Sequence, residues 1–301
     1  IFLSALLSLQ GYEILGIGSQ KQKSKHLSPS ISYLNLDIRK TSQIISVIET
    51  FQATHFYNLA SKSSVAGSFD SPQLVWETNA EAVTNILDSI YRQRNFPNLK
   101  FFQASSSEMF GLATIEPQNE EVPFHPVSPY AESKLSAFKT CQKFRREGFF
   151  VASAIMYNHE SIYRSKEFVT RKITSGVAAI KRKEQSLLQM GNLYAERDWG
   201  FAGDYVEAIY LIMSSDTPDD FVISTGITHS VKEIVAIAFD EVGLGGREVD
   251  FLELKGNLLR PKEVNRLVGD SKKLRESFGW KPKKTFETLI REMVQHDLTA
   301  N

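Results

Sequence analysis

The sequence predicts an α/β protein built on a doubly wound parallel sheet, with a smaller lobe drawn from its C-terminal half. Three observations predict it. Through the first half, apolar runs of strand length alternate with helical runs of 3.6-residue period. Polar residues cluster just past those strand runs, at Asp37, at residues 60–64, at residues 105–108 and at Asn158. Sheets of this class bind ligands at such carboxyl ends. After Tyr157 the alternation loosens. The expected organisation is therefore a doubly wound, ligand-binding domain over residues 1–157 and a smaller lobe over 158–301, with some elements returning to the sheet.

Residues 1–9 read as the remainder of a helix, closed by Gly11 at a C-cap position. They lack the basic flank of a signal peptide and are too short to span a bilayer. Residues 13–17 form a buried strand, followed by a polar, lysine-rich loop over 18–29. A strand over 32–36 leads to Asp37. Residues 42–52 are helical, with Ile44, Ile45, Val47, Ile48 and Phe51 on the apolar face. A strand over 55–59, a long helix over 72–94 and a strand over 99–104 follow. Ser128 is an N-cap and Pro129 a first-turn residue for the next helix. A strand over 149–156 completes the first half.

Beyond it, residues 170–183 form a helix with a basic face, and 203–214 another. A strand over 221–226 precedes a helix over 230–242, which opens with Ser230 and Glu233 spaced as a capping box. Residues 249–254 read as a strand, and 272–278 and 286–298 as short helices.

The 301 residues suffice for one large domain or two smaller ones. Lys plus Arg and Asp plus Glu balance at 35 each, so no net field recruits nucleic acid or an anionic membrane. The single cysteine, Cys141, excludes an intramolecular disulfide and fits a reducing, cytoplasmic setting. No His/Cys spacing suggests a metal.

Tyr130 and Lys134 stand one helical turn apart. A cation beside a phenol stabilises the phenolate, which can then exchange a proton with a substrate hydroxyl near neutral pH. The same spacing also suits a surface pair with no chemistry. Upstream, a short apolar strand runs into Ser105-Ser106-Ser107-Glu108, three hydroxyls and a carboxylate.

Longer segments carry a resemblance. They are Phe56-Tyr57-Asn58-Leu59, residues 103–111, Ser128-Pro129-Tyr130, Asn158-His159-Glu160-Ser161, Phe168-Val169-Thr170-Arg171-Lys172, Arg197-Asp198-Trp199-Gly200, Asp204-Tyr205-Val206 and Arg260-Pro261 with Glu263. In this order the chain resembles the extended short-chain dehydrogenase/reductases, which have a Rossmann-like fold. Within them it is similar to the GDP-mannose 4,6-dehydratase family. Tyr-x-x-x-Lys belongs to the superfamily at large; the segments at 158–161, 168–172 and 197–200 are more specific.

The resemblance implies an internal redox elimination on a GDP-sugar. Tyr130, helped by Lys134, takes the proton of the sugar 4-hydroxyl as hydride leaves C4. Ser106 hydrogen-bonds the 4-oxygen, and Glu108 removes the C5 proton and assists loss of water from C6. On residues alone, Glu108 reads equally as a loop carboxylate capping a backbone N–H. The resemblance further implies Asp37, Ile38, Leu59, Ala60, Ser63, Tyr130, Lys134 and His159 as cofactor contacts. It implies Asn158, Arg171, Lys172, Arg197, Arg260 and Glu263 as substrate contacts, the cations taking the diphosphate. For Arg171 and Lys172 a solvated helix face is the competing reading. The implied cofactor is NADP, with NAD possible, and the implied assembly a dimer or tetramer.

The pattern departs in four places. The family's glycine-rich phosphate turn precedes residue 1, so the sequence reads as a fragment of a longer protein, or as a form without that cradle. Lys21 and Lys23 stand where arginines usually hold the 2′-phosphate. Lys62 and Ser64 replace a usual Gln and a frequent His. The stretch over 244–254 is short, which leaves another GDP-sugar, such as a GDP-mannoheptose, as a rival substrate. A related epimerase or reductase, and an inactive sugar-nucleotide-binding relative, are the remaining rivals. Glu108 discriminates against the former, which need no C5 base.

Overall fold

The computed structural model describes residues 1–93, 95–256 and 264–299. In chain order the elements are α1 (Phe2–Leu9), β1 (Leu15–Gly18), β2 (Ser32–Asn35), α2 (Thr41–Phe51) and β3 (His55–Asn58). Next come α3 (Gly67–Asp70), α4 (Pro72–Trp76), a π-helical stretch (Glu77–Glu81), α5 (Ala82–Gln93), β4 (Lys100–Ser106), α6 (Pro129–Arg146) and β5 (Val151–Met156). They are followed by β6 (Asn158–Glu160), α7 (Val169–Lys181), β7 (Leu188–Met190), β8 (Glu196–Phe201), α8 (Ala202–Ser214), β9 (Asp220–Ile223) and β10 (Thr228–Ser230). The last are α9 (Val231–Glu241), β11 (Leu252–Leu254), β12 (Arg266–Leu267), α10 (Lys272–Phe278) and α11 (Phe286–Thr299).

The chain divides into two compact units. The first comprises Ile1–Thr114, Glu120–Met156 and Val206–Val222; the second comprises Ile115–Asn119, Tyr157–Tyr205 and Ile223–Asn301.

In the first unit, β1 pairs with β2 in parallel, and a second sheet runs β3–β4–β5–β9. Strands β3, β4 and β5 are parallel, with Phe56 opposite Phe101 and Phe102 opposite Ala152. One core joins Ile44, Ile45 and Ile48 of α2, Val83, Ile86, Leu87 and Ile90 of α5, and Ala137, Cys141 and Phe144 of α6 to Phe56 and Phe101. The three-to-four-residue spacing on each helix is what puts those side chains on one face. Helix α1 ends as expected: Gly11 has φ +83°, and Tyr12 N–H reaches back to Leu7 O at 3.1 Å.

The single helix expected over 72–94 is broken by the π stretch, where an extra residue per turn re-aims Asn79. The strand expected over 221–226 stops at Ile223, because the chain turns at Gly226 with φ +83°. The strand expected over 249–254 begins only at Leu252, after a 3-10 turn at Glu248–Asp250.

In the second unit β8 is central, pairing with β6, β10 and β12, while β7 and β11 form a separate parallel pair. Helices α7, α9 and α11 pack together through Ile173, Val177, Ile234, Phe239, Ile290 and Met293. Helix α9 has the full capping box, with Ser230 and Glu233 each satisfying the other's backbone N–H. No helix among the described residues is long and apolar enough to cross a membrane.

Candidate active site

The carboxyl end of β4 carries the first cluster. Ser106 caps a 3-10 turn (Ser107–Met109), its Oγ accepting from Glu108 N–H at 3.3 Å. The turn is then fixed from outside. His125 N–H donates to Met109 O at 3.1 Å, and Leu112 N–H donates to His125 O at 3.2 Å. Gly111 makes this clamp possible: it has φ +52°, and a Cβ there would lie 1.9 Å from His125 O.

Helix α6 packs against that turn. Ser128 caps it by accepting from Ala131 N–H at 3.1 Å, and Pro129 occupies the first turn. Both sequence signals therefore place the helix start, and so place Tyr130 and Lys134 on its buried side. Tyr130 is 8% exposed and Lys134 3%. Lys134 Nζ donates to Ala104 O at 2.9 Å and lies 5.9 Å from the centre of the Tyr130 ring. Burial pushes the Lys134 pKa down to about 8. Among the described residues the ammonium has this one acceptor.

The expected cofactor residues of this unit lie at neighbouring strand ends. Asp37 follows β2; hydrogen bonds from Arg39 hold its carboxyl below the usual carboxylate range. Arg39 also reaches Glu77 at 2.9 Å. Ile38 packs against the core of this unit. Past β3, Leu59 is exposed, Ala60 N–H donates to Asn58 Oδ1 at 3.2 Å, and Ser63 is exposed.

A residue missed by the sequence reading organises that loop. Asn79, 1% exposed, accepts from Lys62 N–H at 2.9 Å and Ser61 Oγ at 3.1 Å. It donates to Lys62 O at 3.2 Å and to Ser133 Oγ at 3.1 Å. Ser133 donates in turn to Tyr130 O at 2.7 Å. Asn79 thus joins the loop after β3 to the Tyr130 turn. The available signal was an Asn four residues from both Val75 and Val83, on the apolar face of its helix.

The remaining expected contacts lie in the second unit. Asn158 stands opposite Trp199 in the β6–β8 pairing. His159 donates from Nδ1 to Tyr157 O at 2.9 Å and stacks on Tyr205 with ring centres 5.0 Å apart. Burial pushes its pKa down to about 4, so at neutral pH its Nε2 is an acceptor. Lys172 is half-buried, burial lowers its pKa, and its ammonium has no partner among the described residues. Arg197 is 5% exposed and donates from Nη1 to the carbonyls of Glu196 at 2.8 Å and Asn265 at 3.4 Å. Arg260 and Glu263 lie outside the described residues.

Arg171 does not lie on a solvated face: it is 5% exposed, its Nη2 pairs with Asp297 at 2.8 Å, and its Nε and Nη1 are buried without partners among the described residues. Lys23 is taken up by backbone acceptors. Its Nζ donates to the carbonyls of Ser28, Pro29 and Ile31, closing its own loop, while Lys21 stays exposed.

The family model described as GDP-mannose 4,6 dehydratase matches residues 2–293. GDP-mannose 4,6 dehydratase 1 of Arabidopsis thaliana is 38% identical, the match covering 99% of this chain and 86% of that protein. The fold is similar to that of a Thermus thermophilus UDP-glucose 4-epimerase solved with NAD, with a TM-score of 0.87, 22% identity and coverage of 100% and 96% of the two chains. It is also similar to RMD from Pseudomonas aeruginosa solved with NADPH, with a TM-score of 0.80, 21% identity and coverage of 96% and 99%.

Proposed function

The chain belongs to the GDP-mannose 4,6-dehydratase family, and we propose that it converts GDP-mannose to GDP-4-keto-6-deoxymannose and water with the residues at the end of β4. It is an enzyme of that type, working with a nicotinamide cofactor. The observation that carries the reading is the pairing of a second proton acceptor, Glu108, with the Tyr130–Lys134 pair on adjoining turns of one unit. Epimerisation at C4 uses the phenol and the ammonium. Elimination across C5 and C6 adds a base for the C5 proton.

In this mechanism Tyr130 accepts the proton of the 4-hydroxyl, with Lys134 favouring the phenolate and Ser106 holding the 4-oxygen. A nicotinamide held by the strand-end residues named below would supply the hydride chemistry that links C4 to C6. The 4-keto group acidifies C5–H; Glu108 accepts that proton and delivers it to the departing C6 hydroxyl, and as C6 receives hydride the proton that Tyr130 took from the 4-hydroxyl returns to C5, so the net change is loss of one water. Asp37, Ile38, Leu59, Ala60 and Ser63 serve the cofactor, as does His159 through its unprotonated Nε2. Asn158, Lys172 and Arg197 serve the GDP-sugar, the half-buried, unpartnered Lys172 being best prepared for a phosphate.

NADP is the cofactor we favour, with the exposed Lys21 as its phosphate contact. We extend the reading to a homo-oligomer, a dimer or tetramer, working in the cytoplasm. The test is to incubate the protein with GDP-mannose and NADP and follow substrate mass. A product lighter by one water, absent with Glu108→Gln, supports the reading. An isobaric product points to an epimerase, and an unchanged substrate with cofactor bound points away from GDP-mannose.

A further inference from the structure

Helix α7 begins beside a set of buried charges that no step above uses. Asp297, 4% exposed, takes Arg171 Nη2 at 2.8 Å on Oδ1 and the Thr174 hydroxyl at 2.7 Å on Oδ2. Its carbonyl accepts from Arg182 Nη1 at 2.8 Å. The last turn of α11 is therefore bound to both ends of α7. Glu160 of β6 is 2% exposed. Arg164 Nε lies 3.3 Å from Glu160 Oε2, an ion pair without hydrogen-bond geometry, while its guanidinium covers the Phe168 ring at 3.5 Å.

The placement of this set matters. Arg171 immediately precedes Lys172 in α7. Fixing Arg171 thus fixes the turn that carries a residue expected to meet the sugar nucleotide. Arg171 itself is 5% exposed, with Nε and Nη1 enclosed. Its nitrogens are thus either paired with Asp297 or enclosed by protein, and separating the pair strands a charge in low dielectric.

We propose that Arg171 and Asp297 form a positioning pair for the sugar-nucleotide site, with Arg171 acting through Asp297 rather than on the diphosphate. The inference rests on the reading of Lys172 as a GDP-sugar contact. It makes the C-terminal helix part of the binding apparatus without touching the ligand.

A double-variant cycle separates positioning from ligation. Arg171→Met and Asp297→Leu each leave one buried charge unpaired; together they replace the pair by apolar groups of similar size, a change buried pairs commonly tolerate. Asp297→Asn, which keeps an acceptor for Thr174, serves where a single variant folds poorly. The KM for GDP-mannose is expected to rise about tenfold or more in each single variant and to return to within about threefold of the parent in the double. Cofactor affinity, read by fluorescence titration, is expected to stay near the parent value throughout. A double variant as weak as Arg171→Met makes Arg171 a direct ligand and overturns the proposal, as does an unchanged KM in the single variants. If the parent binds no GDP-mannose, the functional reading fails separately. Melting of the same proteins then decides the pair: singles that melt low with a double restored support it, and a double no more stable than the singles overturns it.

Discussion

Lys134 Nζ donates to the main-chain carbonyl of Ala104 at 2.9 Å, and Gln103 Nε2 meets the same oxygen at 3.0 Å. The ammonium is thus buried against one neutral acceptor that already has another donor. Such an arrangement is poor for stability and suits a group kept for a ligand. Lys134→Met is predicted to abolish turnover while leaving the protein as stable as the parent or more so at pH 7, by up to roughly 1–3 kcal/mol. The sign of the pH dependence follows from the lowered pKa. Between about 8 and the ordinary 10.5 the unfolded chain holds more protons than the folded one, so this group makes stability rise with pH. Melting curves between pH 7.5 and 10.5 check this: the parent should lose less stability with rising pH than the Met variant does.

Glu108→Gln keeps the shape of the 3-10 turn and removes the base. It is predicted to slow water loss about 10²–10⁴-fold, the usual contribution of a positioned general base, with cofactor affinity preserved. Deuterium uptake at C5 from heavy water is the direct readout. Exchange at the parent rate would remove Glu108 from the mechanism.

Gly111→Ala places a methyl where His125 O stands, at a positive φ. The turn holding Ser106 and Glu108 then has to move. A loss of about 2 kcal/mol or more is expected, with kcat falling more than the loss of folded protein explains. Chemical denaturation beside active-site titration separates the two.

Asn79→Ala removes all four hydrogen bonds that tie the loop after β3 to Ser133. It is predicted to cost about 2–3 kcal/mol and to weaken cofactor binding. Asn79→Asp keeps the two accepting bonds and should recover part of both, as read by melting and titration.

Lys21 and Lys23 separate cleanly. Lys21→Ala is predicted to lower the preference for NADP over NAD with little change in stability. Lys23→Ala is predicted to loosen residues 23–31, where its ammonium closes three carbonyls, and to affect both cofactors alike. Ratios of KM for the two cofactors, with local hydrogen exchange, distinguish them.

The parts of this account that were legible in the sequence are the locally encoded ones. Ser128 and Pro129 announce a helix start by their own chemistry, and Tyr130 and Lys134 then follow at a fixed angle. Glu233 caps with Ser230 three residues away. What was not legible depends on partners distant in the chain or on side chains folding back. Nothing local to Phe168-Val169-Thr170-Arg171-Lys172 indicates that Asp297 holds one cation and leaves the next free. Nothing in the run Lys21-Gln22-Lys23 separates the two lysines, because the acceptors of Lys23 are backbone carbonyls, which no residue pattern displays. The π stretch at Glu77–Glu81 escaped for a related reason: apolar periodicity runs through it, and the i→i+5 backbone bonding that defines it is written in no residue type.

The central claim is that this chain carries out an elimination by moving hydride within one sugar. GDP-mannose deuterated at C4 tests it most directly. With unlabelled cofactor present, the account predicts a product one water lighter that carries the deuterium at C6, and no label in the released cofactor. A product of unchanged mass with deuterium still at C4, or label lost to the cofactor pool, would contradict it.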